Sequence, residues 1–223
     1  MAEYTAGFEA GVNGNTVSTA GGEANLTAWT RVFGVQTYSN AQVAHGSLSL
    51  LRPSAFDTFG LIWDLAFLSD FYGRFYMYAT AFPGAGVDLA RFNGGGAEVR
   101  LALNTSGTIR SLCNGVPVDG ATTIALNQWI RIEFHFIASA TVGLLEVKLF
   151  NTKESTVVTE TIAPTADRNT GASPPNEGDL SGAGAWGADT WFDSVIYNAT
   201  SYPGPAVTVT QNFAPVIYGR GAC

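Results

Sequence analysis

The sequence predicts an all-β protein, an antiparallel two-sheet β-sandwich with an extended C-terminal arm, and three observations predict it. From Trp129 the even positions Ile130, Ile132, Phe134 and Phe136 are apolar, and the odd positions Trp129, Arg131, Glu133 and His135 are aromatic, charged or polar. That period of two is the signature of a half-buried strand. It resumes across Ser139–Gly143, with Leu145, Val147 and Leu149 facing in and Glu146 and Lys148 facing out. Second, 26 of the 223 residues are Gly, and turn signals recur at Asn104-Thr105-Ser106-Gly107, Asn114-Gly115 and Asp119-Gly120. Turns this frequent leave room only for short antiparallel strands. Third, charged residues make up 13% of the chain, too few for solvated helical faces. A single domain of this length buries roughly 70% of its extended surface, so its core needs no metal or disulfide.

Taken in order, Tyr4 to Ala10 reads as the first strand, ending at the Gly11–Gly14 turn. Thr16 to Ala28 is polar and glycine-rich and leads to a strand near Trp29–Tyr38. Phe59–Leu65 and Arg74–Phe82 are the next strands, with Phe67 to Gly73 as a turn. The aromatic residues Phe71, Tyr72, Phe75, Tyr76 and Tyr78 cannot all face one core if the chain alternates. Phe75 and Met77 are assigned to the core, and Tyr76 and Tyr78 are candidates for a contact surface. Leu89–Phe92 and Ala97–Leu103 flank Asn93-Gly94-Gly95-Gly96, a hairpin turn that uses positive φ. Thr156–Ile162 is a strand, Ala163 to Ala188 a long loop rich in Pro, Gly, Ser and Asn, and Trp191–Tyr197 the closing strand.

The domain is expected to span 1–205 and the arm 206–223. In the arm Val207 and Val209 alternate with Thr208 and Thr210, and Phe213 and Tyr218 follow. A segment with strand character and no core of its own adds to a sheet edge, in its own chain or a neighbour's. Val207, Val209, Phe213 and Tyr218, with Tyr76 and Tyr78, are therefore the candidate assembly residues.

The series Gly-Thr-Ile-Arg (107–110), Asn-Gly-Val-Pro-Val (114–118) and Leu-Asn-Gln-Trp-Ile-Arg-Ile-Glu-Phe (126–134), closed by Trp-Phe-Asp-Ser-Val-Ile-Tyr (191–197), resembles the concanavalin A-like lectin/glucanase superfamily, specifically its laminin-G-like jelly rolls. The resemblance runs from about Phe8 to Pro205. It implies a jelly-roll sandwich in which Phe8 and Glu9 of the opening strand meet the Trp191–Tyr197 strand, and in which His45 to Leu50 form a strand of small residues. Free-standing acidic chains of this plan also resemble structural proteins of tailed bacteriophages. That implies a non-enzymatic virion subunit assembled in the host cytoplasm, a homo-oligomer or one bound to other virion proteins, touching host saccharide. A stand-alone carbohydrate-binding module is the alternative reading, and a glycan hydrolase or lyase the third.

A formal charge of −7 without a Lys/Arg cluster excludes the usual nucleic-acid binder. No run approaches the roughly 18 apolar residues of a membrane span, and the first residues lack the basic start and apolar run of a signal peptide. Cys113 and Cys223 are far apart, read as two free thiols or as a disulfide that ties down the tail.

Glucan-cleaving members of the resembled superfamily carry paired carboxylates on one strand, a spacing that aims both into one groove. Glu98 is followed by Arg100, Glu133 lies between Arg131 and His135, and Asp189 and Asp193 have Trp191 between them; no catalytic residue is assigned. Calcium binding at a rim, which the resemblance implies, has Asp167, Glu177, Asp179 and Asp189 as its donors, or these form a solvated acidic loop. His45 and His135 are too isolated for a zinc pair, so no metal site is assigned. The candidate ligand face is the outward row Trp129, Arg131, Glu133 and His135, joined by Glu98 and Arg100 if their strands neighbour. Rings that stack on a sugar beside charged groups that hold its hydroxyls suit a saccharide; cross-strand ion pairing explains the same charges.

Overall fold

The computed structural model describes residues 4–19, 28–54, 58–94, 96, 98–183, 186–198 and 200–206. Fifteen strands are present among them: β1 (Tyr4–Ala6), β2 (Arg31–Phe33), β3 (Thr37–Ser39), β4 (Ser49–Arg52), β5 (Thr58–Asp64), β6 (Asp70–Ala79), β7 (Val87–Asn93), β8 (Val99–Leu103), β9 (Thr108–Cys113), β10 (Val116–Thr123), β11 (Trp129–Ile137), β12 (Leu144–Phe150), β13 (Glu160–Ile162), β14 (Glu177–Ala183) and β15 (Thr190–Asn198). They form two antiparallel sheets packed face to face. The front sheet runs β13-β12-β11-β6-β15-β4-β3, with β1 also on β15; the back sheet runs β10-β9-β8-β7-β14-β5-β2. Among the described residues no helix is long and apolar enough to cross a membrane.

The alternation read from Trp129 carries through to packing. Ile130, Ile132, Phe134 and Phe136 are at most 1% exposed and meet Leu89, Phe92 and Leu101 of the back sheet in one core. At its centre Trp63 stacks on Trp29 at 3.9 Å and meets the edge of Tyr197 at 5.2 Å. Offset and edge contacts of this kind add to the area each ring buries.

Several elements differ from the sequence reading. Trp29–Tyr38 is not one strand: β2 belongs to the back sheet and β3 to the front, and the chain crosses between them at Gly34, φ 77°. Asp70 to Gly73 is not a turn but the start of β6, because Phe71 inserts into the core among Phe92, Phe134 and Phe136. The His45–Leu50 strand begins at Ser49, and the strand before Ala163 only at Glu160. Phe8 and Glu9 do not pair with the closing strand; Tyr4–Ala6 does, from Tyr4 opposite Tyr197 to Ala6 opposite Val195. Glu9 instead accepts the backbone N–H groups of Ser47 and Leu48. The long loop from Ala163 contains β14, a central strand of the back sheet between β5 and β7. Its Glu-Gly-Asp-Leu-Ser-Gly-Ala sequence has one large apolar residue, Leu180, too little for an alternation to show. Gly178 is required there, since a Cβ would meet the Tyr197 ring at 2.8 Å.

Candidate functional site

The outer face of the front sheet is laid out in cross-strand rows fixed by register. Trp129, Tyr78 and Trp191 form the first row across β11, β6 and β15. Phe150, Arg131, Tyr76 and Asp193 form the second, Lys148, Glu133, Arg74 and Ile196 the third, and Glu146, His135 and Tyr72 the fourth. The sequence pattern placed Trp129, Arg131, Glu133 and His135 on one face correctly. It did not foresee what covers the middle of that face.

Rows two and three are closed over. Arg131 is 1% and Glu133 2% exposed, with Nε to Oε1 at 2.8 Å. Arg131 also donates to the carbonyls of Lys153 and Ser155, both at 2.6 Å, and its guanidinium lies 3.8 Å over the Phe150 ring. Burial raises the Glu133 carboxyl above its ordinary range, opposed by Arg131 and Arg74. Arg74 donates to the carbonyls of Gly204, at 2.7 Å, and Ser194, at 3.4 Å. Two chain segments therefore roof the rows, 153–155 and 202–206. Arg131 and Glu133 are not the open sugar contacts that the sequence suggested, because neighbouring carbonyls already occupy the guanidinium. Tyr76 is likewise buried rather than a surface contact: its hydroxyl accepts the Ala206 N–H at 2.7 Å, and its ring meets the edge of His45 at 4.6 Å.

A bulge in β15 makes this arrangement possible. Between Asp193 and Ile196 the register slips, and Ser194 takes φ 45°. The extra residue turns the Ser194 carbonyl toward Arg74 and sends Asp193 into the Ala44–His45 turn. There Asp193 accepts three backbone N–H groups, from Ala44, His45 and Ser194. Burial pushes its carboxyl up to about 7 against those bonds. His45 is held between Glu154 and Ser194, and burial lowers its imidazole below the ordinary range.

The two outer rows stay partly open. Trp129 and Tyr78 are half-buried neighbours, ring centres 5.7 Å apart; Trp191 meets Tyr78 at 5.7 Å and donates its indole N–H to Ser39. At the far end His135 and Tyr72 stack at 3.9 Å with 9° between planes, and Asp70 lies 2.7 Å from His135 Nε2. Tyr202 completes that cluster: its ring meets Tyr72 edge-on at 4.8 Å and Lys148 Nζ at 3.6 Å, and its hydroxyl bonds Glu146. Burial, with Glu146 beside it, raises the Tyr202 phenol. Each histidine is part of an aromatic and acidic cluster. The sequence pattern assigns no ligand role to Tyr72, Arg74 or Tyr202, and it sets Asp193 aside as half of an interrupted carboxylate pair. The odd-even run Tyr72, Arg74, Tyr76, Tyr78 carried the signal for the first two, and nothing local marked Tyr202.

Glu98 and Arg100 do not join this face. β8 lies in the back sheet, where Arg100 pairs with Asp88 at 3.2 Å and Glu98 at 3.3 Å, on the opposite side of the molecule. The acidic residues considered for calcium are dispersed. Glu177 pairs with Arg31 at 2.6 Å, Asp179 takes the Asn93 amide at 3.2 Å, Asp189 takes the Ser54 N–H at 2.8 Å, and Asp167 is exposed. Among the described residues no three metal-ligating side chains converge. Cys113 is a buried free thiol, pushed up to about 11 by burial. Val207, Val209, Phe213, Tyr218 and Cys223 lie outside the described residues.

No family model matches the chain, and no curated protein matches it. Solved structures do. An endo-β-1,4-glucuronan lyase from the fungus Trichoderma reesei superposes with a TM-score of 0.60 at 13% identity, covering 83% of this chain and 97% of the other. Cellulose induced protein Cip1 gives 0.53 at 14% identity, covering 74% and 85%. The binding domain of botulinum neurotoxin DC in complex with SialylT gives 0.52 at 8% identity; the match covers 77% of this chain and 42% of that one. Likeness at these identities establishes the fold.

Proposed function

We propose that the protein is a carbohydrate-binding module of the concanavalin A-like sandwich type, which holds an extended polysaccharide along the outer face of the front sheet. The observation that carries this reading is the pair of partly open aromatic rows at the two ends of that face. Trp129–Tyr78 and His135–Tyr72 are six residues apart along β11 and β6, about 20 Å at the rise of a strand. Between them the charged groups are satisfied internally, so the groups left for a ligand are ring faces and a few rim donors. Rings bind pyranose C–H faces, and two platforms that far apart favour a chain of several sugar units over a single one. Two of the similar structures support a saccharide partner by their descriptions, a glucuronan lyase and a toxin domain in complex with SialylT.

The test is binding of the full chain to glucuronan, cello-oligosaccharides and sialylated oligosaccharides by titration calorimetry, beside Trp129→Ala and Tyr72→Ala. Each substitution is expected to weaken binding of the preferred chain roughly tenfold, the loss typical of a central aromatic contact. No affinity for any of the three in the unsubstituted protein sinks the reading.

A polysaccharide lyase is the second reading. It is favoured by Tyr72 and His135, partly open and stacked at 3.9 Å, as candidate proton acceptors. Release of unsaturated uronate from glucuronan, abolished in Tyr72→Phe, supports it; an unchanged substrate removes it. The virion-subunit role rests on the sequence resemblance alone. Light scattering of the full chain against residues 1–205 tests it, since assembly lost with the arm is its expected result.

A further inference from the structure

At the edge of the sandwich away from the aromatic rows, the β9–β10 hairpin and the segment 163–169 enclose a cavity of about 430 Å³. That volume is in the range of small-molecule sites. The pocket is half open to solvent: one side is apolar, formed by Val116, Val118, Ala163 and Pro164, its rim is polar, with Asn114, Thr165, Asp167 and Asn169, and its one cation is Arg168.

Arg168 is 7% exposed, and arginine is seldom buried to this degree without an acidic partner. Here the partners are neutral oxygens: Nη1 donates to Ser111 Oγ at 2.6 Å, and Nη2 to the carbonyls of Ser111, at 3.3 Å, and Val116. Among the described residues no carboxylate lies within ion-pair distance of it, in contrast to the buried Arg131, which has Glu133 at 2.8 Å. The neighbouring Cys113 supplies no charge, because its thiol is pushed up to about 11. Three of five guanidinium N–H donors are thus engaged, leaving the Nε–H and one Nη1–H. The position is rigid: Arg168 exchanges backbone bonds with Gly143 at 2.8 and 3.0 Å, and Ser111 is itself anchored on the Leu145 carbonyl at 2.8 Å. A buried, fixed guanidinium with no acidic partner among the described residues, and with donors beyond its three bonds, is suited to hold an anion at this pocket.

We propose that this cavity binds a small amphipathic carboxylate, its carboxylate group on Arg168 and its apolar body against Val116, Val118, Ala163 and Pro164. Asp167 stands exposed at the rim and disfavours a second negative charge, so the ligand is a monoanion. The site is separate from the saccharide face, and neither depends on the other.

The probe is hexanoate, with hexanol as the uncharged control, titrated into the full chain to the millimolar range while the Val116 and Cys113 amides are followed by NMR. Hexanoate is expected to bind saturably, roughly tenfold or more tighter than hexanol, the difference a charge-assisted pair makes. Val118→Glu places a carboxylate at the mouth and leaves the three existing Arg168 bonds in place; it is expected to abolish hexanoate binding in a folded protein. Arg168→Gln, if folded, is expected to bind the two probes equally. Absence of saturable hexanoate binding, equal affinity for hexanol, or unchanged binding in Val118→Glu would overturn the proposal.

Discussion

The two outer faces of the sandwich carry the same alternation of charge in sequence and use it in opposite ways. On the back sheet the charges form a ladder that is open except at the buried Asp88: Arg31 with Glu177 and Asp64, Arg100 with Asp88 and Glu98, and Arg110 with Asp119 at 2.6 Å, its side chains 37% and 45% exposed. On the front sheet Arg131 and Glu133 are all but inaccessible, and Arg74 and Asp193 are buried with them. Strand pattern does not distinguish the faces. What does is the pair of segments, 153–155 and 202–206, that lie across the front sheet and return backbone carbonyls to its arginines. Alternation locates an outward face, and only the tertiary path of distant loops decides whether water reaches it.

The largest expected effect that breaks this contrast is on stability. Arg131→Ala leaves Glu133 buried without its partner and is expected to cost about 3–5 kcal/mol in denaturant unfolding, whereas Arg110→Ala is expected to cost under about 1 kcal/mol. Equal losses would mean that the front face is as wet as the back. The next effect is on pH. Asp193 on the front face and Asp179 on the back are raised by burial, to about 7 and about 6 from a usual 3.8. A carboxyl raised in the folded state contributes its stability fully below its unfolded value, and that contribution is lost as pH rises through the folded value. Stability is therefore expected to fall by a few kcal/mol between about pH 4 and 7, on the order of the shifts themselves. Asp193→Asn should remove more of that slope than Asp179→Asn. Smallest is the response to salt: screening at 1 M weakens the Arg110–Asp119 pair and leaves the Arg131–Glu133 pair unaffected, which a double-mutant cycle at two ionic strengths reads directly.

Much of the fold was legible in the sequence. Strands with strong alternation, β11 and β12, have the predicted inward and outward sides, and the closing strand does pair with the opening one. Legibility failed where the driving residues are few or remote. β14 has glycines where a core strand ordinarily shows large side chains, since Gly178 must lie against Tyr197. β6 begins earlier than its neighbours suggest because Phe71 finds partners on β7 and β11, which no local pattern encodes. At the candidate site the row from Trp129 was readable, but its roof was not. Tyr202 and Gly204 lie 130 or so positions from Tyr72 and Arg74 in sequence, and their role exists only in the folded chain.

The central claim, that the partly open aromatic ends of the front face receive a polysaccharide, is tested most directly through the five tryptophan indole N–H signals. Trp29, Trp63 and Trp186 lie in the core, Trp191 is nearly covered, and Trp129 is half-buried. On titration with a bound polysaccharide the Trp129 signal is expected to shift saturably, Trp191 less, and the three core signals not at all. Saturable binding that leaves Trp129 and the Tyr72–His135 pair unmoved would contradict the account and place the saccharide elsewhere on the molecule.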